Sequence, residues 1–249
     1  MARWTNRDPM PCGLHWVFGM PGKLIVAHRG DHSAAHENTL EAFEYAIGRG
    51  ADMLEFDVRR TNDGELVIHH DERIGNHLLS DVDYPSATSL AAAHGYHLPR
   101  LAETLALISG RIMADVEIKE TGHEAAILGM LQDRLRPEAY LITSFMTETI
   151  LRIRGLSSTV RLGLLVSEVS GSRSIEMFRQ TGADVLAPDY AILDDPTFAP
   201  AIQSRIPLLP WTVNGARQIT RCLEEPAIFG LITDQLAKAL HLRSTFVAE

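Results

Sequence analysis

From residue 24 onward, short β-type runs alternate with helix-type segments, and this alternation restricts the fold more than any other feature. "LIVAH" precedes "TLEAFEYAIGRG", in which Leu40, Phe43, Ala46 and Ile47 fall on one helical face ahead of a glycine stop. "MLEFDV", "LVIHH", "IMADVEIK", "YLITSF", "VRLGLLV", "DVLAPDY", "LLPWTV" and "FGLITD" follow in that order. After "LVIHH", helix-like stretches such as "LPRLAETLALISG" and "HEAAILGMLQDRL" separate them. Parallel strands need such crossovers, so the pattern predicts a parallel sheet, and about eight units predict a TIM-type (β/α)8 barrel.

Nine runs look like strands, one more than the barrel takes. "MLEFDV" and "LVIHH" are too close in sequence for a parallel crossover, and Asp63-Gly64 suits a two-residue hairpin turn. "LVIHH" is therefore expected as an antiparallel arm after the second strand, with Asn62 opposite Glu65 and Asp57 opposite His70. The expected organisation is an irregular lead-in over 1–22, then one barrel over 23–249 with a short insertion around 77–97.

Bulk properties exclude several classes. The formal charge of −9 makes general nucleic-acid binding unfavourable, although a small anion can bind where positive groups or a metal concentrate. No apolar run approaches the roughly 20 residues of a membrane span, and the opening lacks an unbroken apolar signal segment, so neither stable membrane insertion nor export is expected. Cys12 and Cys222 have no pairing or ligand spacing and read as free thiols in a reducing, cytoplasmic setting. The oligomeric state is not legible.

Strand periodicity assembles the chemistry. Glu55 and Asp57 project from one face of their strand, and Asp115, Glu117 and Lys119 do so from "ADVEIK". Clustered carboxylates repel unless a cation lies between them. An all-oxygen donor set favours one divalent Mg²⁺ or Ca²⁺ over zinc. His28 ends the first strand, and His70 is expected on the Asp57 side of the arm, with His69 facing away. Two imidazoles flanking a metal-bound anion make an acid and base pair. Arg29 can fork onto phosphate oxygens, Lys119 adds a point charge, and Gly30 lets the backbone turn sharply behind them. The first strand ends in charge because a phosphate is expected at its tip.

The stretch "AHRGDHSAAHENTLEAFEYAIGRGADMLEFDVRRTNDGELVIHHD" resembles the opening of the glycerophosphodiester phosphodiesterases, with His-Arg-Gly, Glu-Asn-Thr, Glu-x-Asp-Val, Thr-x-Asp-Gly and His-Asp in order. "LPRLAETLALI", "VEIK", "PWTVN" and "GLITD" are similar to later family landmarks, so the resemblance runs from about Lys23 to Ala239. It implies His28 and His70 as acid and base, Glu55, Asp57 and Glu117 as metal ligands, and Arg29 and Lys119 as phosphate-binding residues. Trp211 would be an apolar wall beside the substrate or a packed aromatic at the barrel mouth. The implied activity is metal-dependent hydrolysis of glycerophosphodiesters, small-molecule substrates, to sn-glycerol 3-phosphate and an alcohol. A lysophospholipase D acting on monoacylated phospholipids and an inactive phosphodiester-binding barrel are the alternatives. His36 stands where the family usually has Pro, and "ERIGNHLL" replaces an Arg-Thr-Thr element. Both departures bear on substrate choice.

Overall fold

The computed structural model describes residues 23–247. The expected lead-in over 1–22, and Cys12 with it, lies outside the described residues. The strands are β1 (Leu24–Ala27), β2 (Met53–Arg60), β3 (Leu66–Ile68), β4 (Arg73–Ile74), β5 (His77–Leu78), β6 (Met113–Ile118), β7 (Tyr140–Ser144), β8 (Leu162–Val166), β9 (Val185–Pro188) and β10 (Gly230–Thr233). The helices are α1 (Leu40–Arg49), α2 (Tyr84–Ala93), α3 (Leu101–Ile108), α4 (Glu124–Arg134), α5 (Thr147–Leu156), α6 (Gly171–Thr181), α7 (Ala199–Gln203), α8 (Ala216–Glu224) and α9 (Leu236–Val247). None of the described helices is long and apolar enough to cross a membrane.

The parallel sheet runs in the order β10-β1-β2-β6-β7-β8-β9 and curls into the expected TIM-type barrel. The expected seventh stave, "LLPWTV", forms no regular strand. Pro207 and Pro210 cannot donate to a ladder, so residues 208–213 close the gap between β9 and β10 by isolated parallel bridges. Leu209 N–H donates to Leu186 O at 3.0 Å on one side, and Val213 N–H donates to Ile232 O at 2.8 Å on the other.

Alternation sorts the side chains into two cores. Leu54, Phe56 and Val58 of β2 join the cluster between sheet and helices, with Phe43 and Ala46 of α1. Met53 instead joins Leu24, Val26, Leu141, Leu209 and Ile232 in a second cluster, which fills the barrel. Glu55 and Asp57 share the parity of Met53, so they continue that interior column toward the C-terminal end. On β1 and β10 the same parity leads from Val26 to His28 and from Ile232 to Asp234.

The β2–β3 arm is antiparallel as expected, but its register is not the expected one. The pairs are Val58 with Ile68, Arg59 with Val67 and Arg60 with Leu66, so the line extends to Asp57 opposite His69. The turn holds three residues: Thr61 N–H donates to Glu65 O at 3.0 Å, and Gly64 N–H donates to Thr61 O at 3.0 Å with Gly64 at φ +93°. The Asp63 carboxylate selects this form, accepting from Thr61 Oγ1 at 2.6 Å and from Tyr84 N–H at 3.0 Å, which ties the turn to α2. The residues around 77–97 form β5, which pairs with the preceding β4, and α2, with a small core of Val67, Ile74, Leu79, Tyr84, Ala87 and Leu98 beneath them.

The loop from β1 to α1 is held by backbone geometry that few residues tolerate. Gly30 has φ +83°, and a Cβ there would lie 2.8 Å from the Ala42 carbonyl carbon. Thr39 caps α1, accepting from Ala42 N–H, and Gly50 closes the helix in the left-handed region. We expect Gly30→Ala to destabilise the protein by roughly 2–4 kcal/mol through combined backbone strain and overpacking. A denaturant midpoint unchanged from wild type would refute that account.

Candidate active site

The parallel register of β2 and β6 places Glu55 beside Asp115 and Asp57 beside Glu117. Ligand atoms of Glu55, Asp57 and Glu117 all lie within 4.8 Å of one another at the barrel's C-terminal mouth. Asp57 is fully buried, and Glu55 and Glu117 nearly so. Asp57 Oδ1 has no hydrogen-bond partner among the described residues although it is buried. A hard, oxygen-only cluster with an unsatisfied buried acceptor fits a divalent cation. Asp115 lies one layer deeper and accepts from Thr143 Oγ1 at 2.7 Å.

Burial and mutual repulsion govern these acids. Burial pushes the Asp115 carboxyl up to about 8, with Glu117 and Asp57 adding to the effect. Burial and the Asp57 charge push Glu117 up to about 7. Glu55 is raised well above the ordinary range by burial and by its three acidic neighbours. Asp57 is the exception. Burial disfavours its charge, but Lys119, Arg29 and Asn38 outweigh that and hold its carboxyl below the ordinary range.

Two cations and an amide bracket Asp57. Lys119 Nζ donates to Glu117 Oε1 at 2.7 Å and lies 3.4 Å from Asp57 Oδ1. Arg29 Nη1 donates to Glu37 Oε1 at 2.7 Å, while its Nε lies 3.3 Å from Asp57 Oδ2, near enough for an ion pair but not aligned for a hydrogen bond. The backbone N–H of Arg29, at φ +54°, donates to Glu55 Oε2 at 2.9 Å. Asn38, also left-handed at φ +56°, donates from Nδ2 to Asp57 Oδ2 at 2.8 Å.

Both candidate histidines are backed by carboxylates. His28 Nδ1 lies 2.6 Å from Asp234 Oδ1, and its Nε2 lies 3.9 Å from Glu55 Oε2. Asp234 also meets His32 Nε2 at 3.2 Å and accepts from Asn214 Nδ2 at 2.7 Å. Burial opposes its charge, yet the hydrogen bonds from His28, His32 and Asn214 hold its carboxyl far below the ordinary range. His70 Nδ1 meets Asp71 Oδ1 at 2.7 Å, and burial lowers its pKa against the pull of Asp57.

The expected reason for His70 facing the site, its register opposite Asp57, does not hold. The ladder stops at Ile68, where His69 N–H donates to Asp57 O at 3.0 Å. Beyond that point Arg59 Nε donates to His70 O at 2.8 Å, and His70 lines the same cleft as Lys119. His69 instead stacks over Tyr96, with ring centroids 6.0 Å apart. Trp211 is half-buried: its indole N–H donates to Ala187 O at 2.9 Å, and its ring meets Phe145 edge-on at 5.4 Å.

The sequence reading missed Asp234, Asp71, Asn38, Glu37 and Phe145. Strand parity could have found two of them, because Asp234 follows Ile232 by two residues and Phe145 follows Thr143 by two. Asn38 and Glu37 act from a loop, where no period applies.

This is an α/β barrel with an acidic, histidine-flanked mouth, the place where TIM-type barrels carry their sites. Residues 28–238 match the Glycerophosphoryl diester phosphodiesterase family, which covers the whole mouth from His28 to Lys238. A glycerophosphodiester phosphodiesterase of Caldanaerobacter subterraneus is 27% identical over 237 residues, covering 88% of this chain and 97% of the relative. Among solved structures, a glycerophosphodiester phosphodiesterase of Thermotoga maritima superposes with a TM-score of 0.77 at 24% identity, covering 90% of this chain and 100% of the other. A phosphodiesterase of Oleispira antarctica, in complex with the product sn-glycerol-3-phosphate, superposes with a TM-score of 0.79 at 21% identity, covering 91% and 98%. The chain belongs to the glycerophosphoryl diester phosphodiesterase family.

The raised acids have a consequence for pH. Glu117, at about 7 in the fold against 4.5 in a free chain, contributes stability that is present below about pH 4.5 and lost as the pH rises through 7. A cation that replaces protons on these oxygens binds better, and stabilises more, at the higher pH. Mg²⁺ or Ca²⁺ is therefore expected to raise Tm more at pH 8 than at pH 5. Equal shifts at both, measured by calorimetry, would contradict this assignment.

Proposed function

We propose that the chain hydrolyses glycerophosphodiesters to sn-glycerol 3-phosphate and an alcohol, using one divalent cation held by Glu55, Asp57 and Glu117. The observation that carries this reading is the acidic cluster, with His28 Nε2 3.9 Å from Glu55 Oε2, His70 in the cleft shared with Lys119, and each imidazole backed by a carboxylate. Relatives carrying this activity in their names, and one solved with sn-glycerol-3-phosphate bound, support the substrate class. Bound Mg²⁺ or Ca²⁺ would supply Lewis-acid neutralisation of phosphate charge; the donor set suits either ion.

Arg29 and Lys119 bind the phosphoryl oxygens and offset charge that grows as phosphorus becomes five-coordinate. His28, fixed in one tautomer by the ionised Asp234, takes the proton of the attacking water through Nε2. His70, oriented by Asp71 on the side of the cleft that holds the leaving alcohol, delivers a proton to the departing oxygen. The new P–O bond forms as the bond to the alcohol breaks, and the alcohol leaves neutral at that oxygen. Phe145, its ring centroid 5.9 Å from Lys119 Nζ, and Trp211 edge-on to it wall the mouth beside that cation. A cytoplasmic setting fits Cys222, a buried free thiol pushed up to about 12 by burial.

His28→Ala and His70→Ala are each expected to lower kcat for glycerophosphocholine about 10²–10⁴-fold. Near-normal turnover in either would end its assignment. Exhaustive chelation is expected to abolish release of glycerol 3-phosphate, and readdition of Mg²⁺ or Ca²⁺ to restore it. Activity that survives chelation would remove the metal from the reaction. Monoacylated substrates are expected to be turned over more slowly than deacylated ones, and the reverse order would favour a lysophospholipase D.

A further inference from the structure

The cleft that contains His70 and Lys119 extends to the β4–β5 turn, with a volume of about 670 Å³ and no aliphatic, phenyl or indole side chain in its lining. A quaternary ammonium group is held best by the faces of Trp, Tyr or Phe, and an acyl chain needs apolar walls; apart from the His70 and His94 imidazoles the described lining offers neither. Its charges differ in how far they are committed. Arg59 is occupied, donating to His70 O and to Glu120 Oε1, each at 2.8 Å. Asp71 is held by His70.

Arg73, further along the wall, is held lightly. Its Nη1 donates to Asn76 O at 3.0 Å, and Glu72 lies 3.5 Å from its Nε in an exposed pair of the kind that contributes little. Its remaining N–H groups have no hydrogen-bond partner among the described residues. Across the cleft, His94 Nδ1 meets Leu90 O at 2.9 Å; a carbonyl only accepts, so Nδ1 carries the hydrogen and Nε2 has no hydrogen-bond partner among the described residues. Gly75, at φ +58°, keeps the space open, since a Cβ there would come 3.2 Å from the His94 ring.

We infer that this cleft receives the leaving alcohol, and that Arg73 selects alcohols bearing a carboxylate or phosphate over those bearing a quaternary ammonium. The inference rests on the proposed glycerophosphodiester hydrolysis and specifies its leaving group. A guanidinium with free donors pairs with either anion through two parallel hydrogen bonds.

The test compares kcat/KM at low ionic strength for three glycerophosphodiesters, whose alcohols are glycerol phosphate, glycerol and choline. The anionic alcohol is expected to exceed choline by about tenfold or more, the scale of one added charged contact. Arg73→Ala is expected to bring that ratio to within about twofold while leaving the neutral glycerol ester unchanged, and Arg73→Lys to retain part of the preference, because the charge survives without the fork. Equal or faster turnover of the choline ester by the wild type would overturn the inference, as would an Arg73→Ala variant that slows all three esters alike. Glycerol 3-phosphate released from all three separates that failure from one of the underlying reading, which falls if none of them is cleaved.

Discussion

Four carboxylates facing the inside of one barrel across two neighbouring strands are the constraint that the rest of the mouth answers. Glu55, Asp57, Asp115 and Glu117 are set side by side by the β2–β6 register, and their burial leaves little solvent to screen their charges. Uncompensated, such a cluster either takes up protons or repels itself apart. Asp115 takes the first course, with burial raising it to about 8 and Thr143 occupying one oxygen. Asp57 takes the opposite course and stays charged, because Arg29, Lys119 and Asn38 surround it.

This division explains the shape of the β1–α1 loop. To bring a guanidinium, a backbone N–H and an amide onto two carboxylates of the next strand, the loop has Arg29, Gly30 and Asn38 in the left-handed region. Non-glycine residues there cost conformational energy, and Asn tolerates it better than most. The Asn38 N–H donates back to Arg29 O at 3.0 Å, so the loop closes on itself while holding the acids. The motifs "HRG" and "ENT" are thus two halves of one clamp.

The barrel was legible because strand and helix periods are local. The same alternation that placed Leu54 and Phe56 outward placed Glu55 and Asp57 inward, and it located Asp115, Glu117 and Lys119 in the same way. The β2–β3 arm was legible too, since a parallel connection cannot be made within so few residues. Its register was not, because the turn was chosen by a hydrogen bond from Tyr84 N–H to Asp63, made across 21 residues. Nor was the irregular seventh stave, where prolines leave closure to isolated bridges with strands on either side. His70 was named for a register it does not have, and it lies by Lys119 because the chain leaves the ladder one residue earlier.

The sequence by itself determined which residue types stand at strand ends and on which face they point: acids on β2 and β6, a histidine after β1, basic groups beside them. Covalent geometry fixes that parity within a few residues. Only the tertiary structure decided what each group meets. Asp234 joins His28 across 206 residues because barrel closure makes the first strand and the last neighbours, and Arg59 reaches Glu120 across 61 because β2 and β6 pair in parallel. Protonation follows the same rule, since burial and the nearest charges, not residue identity, separate an ionised Asp57 from a raised Asp115.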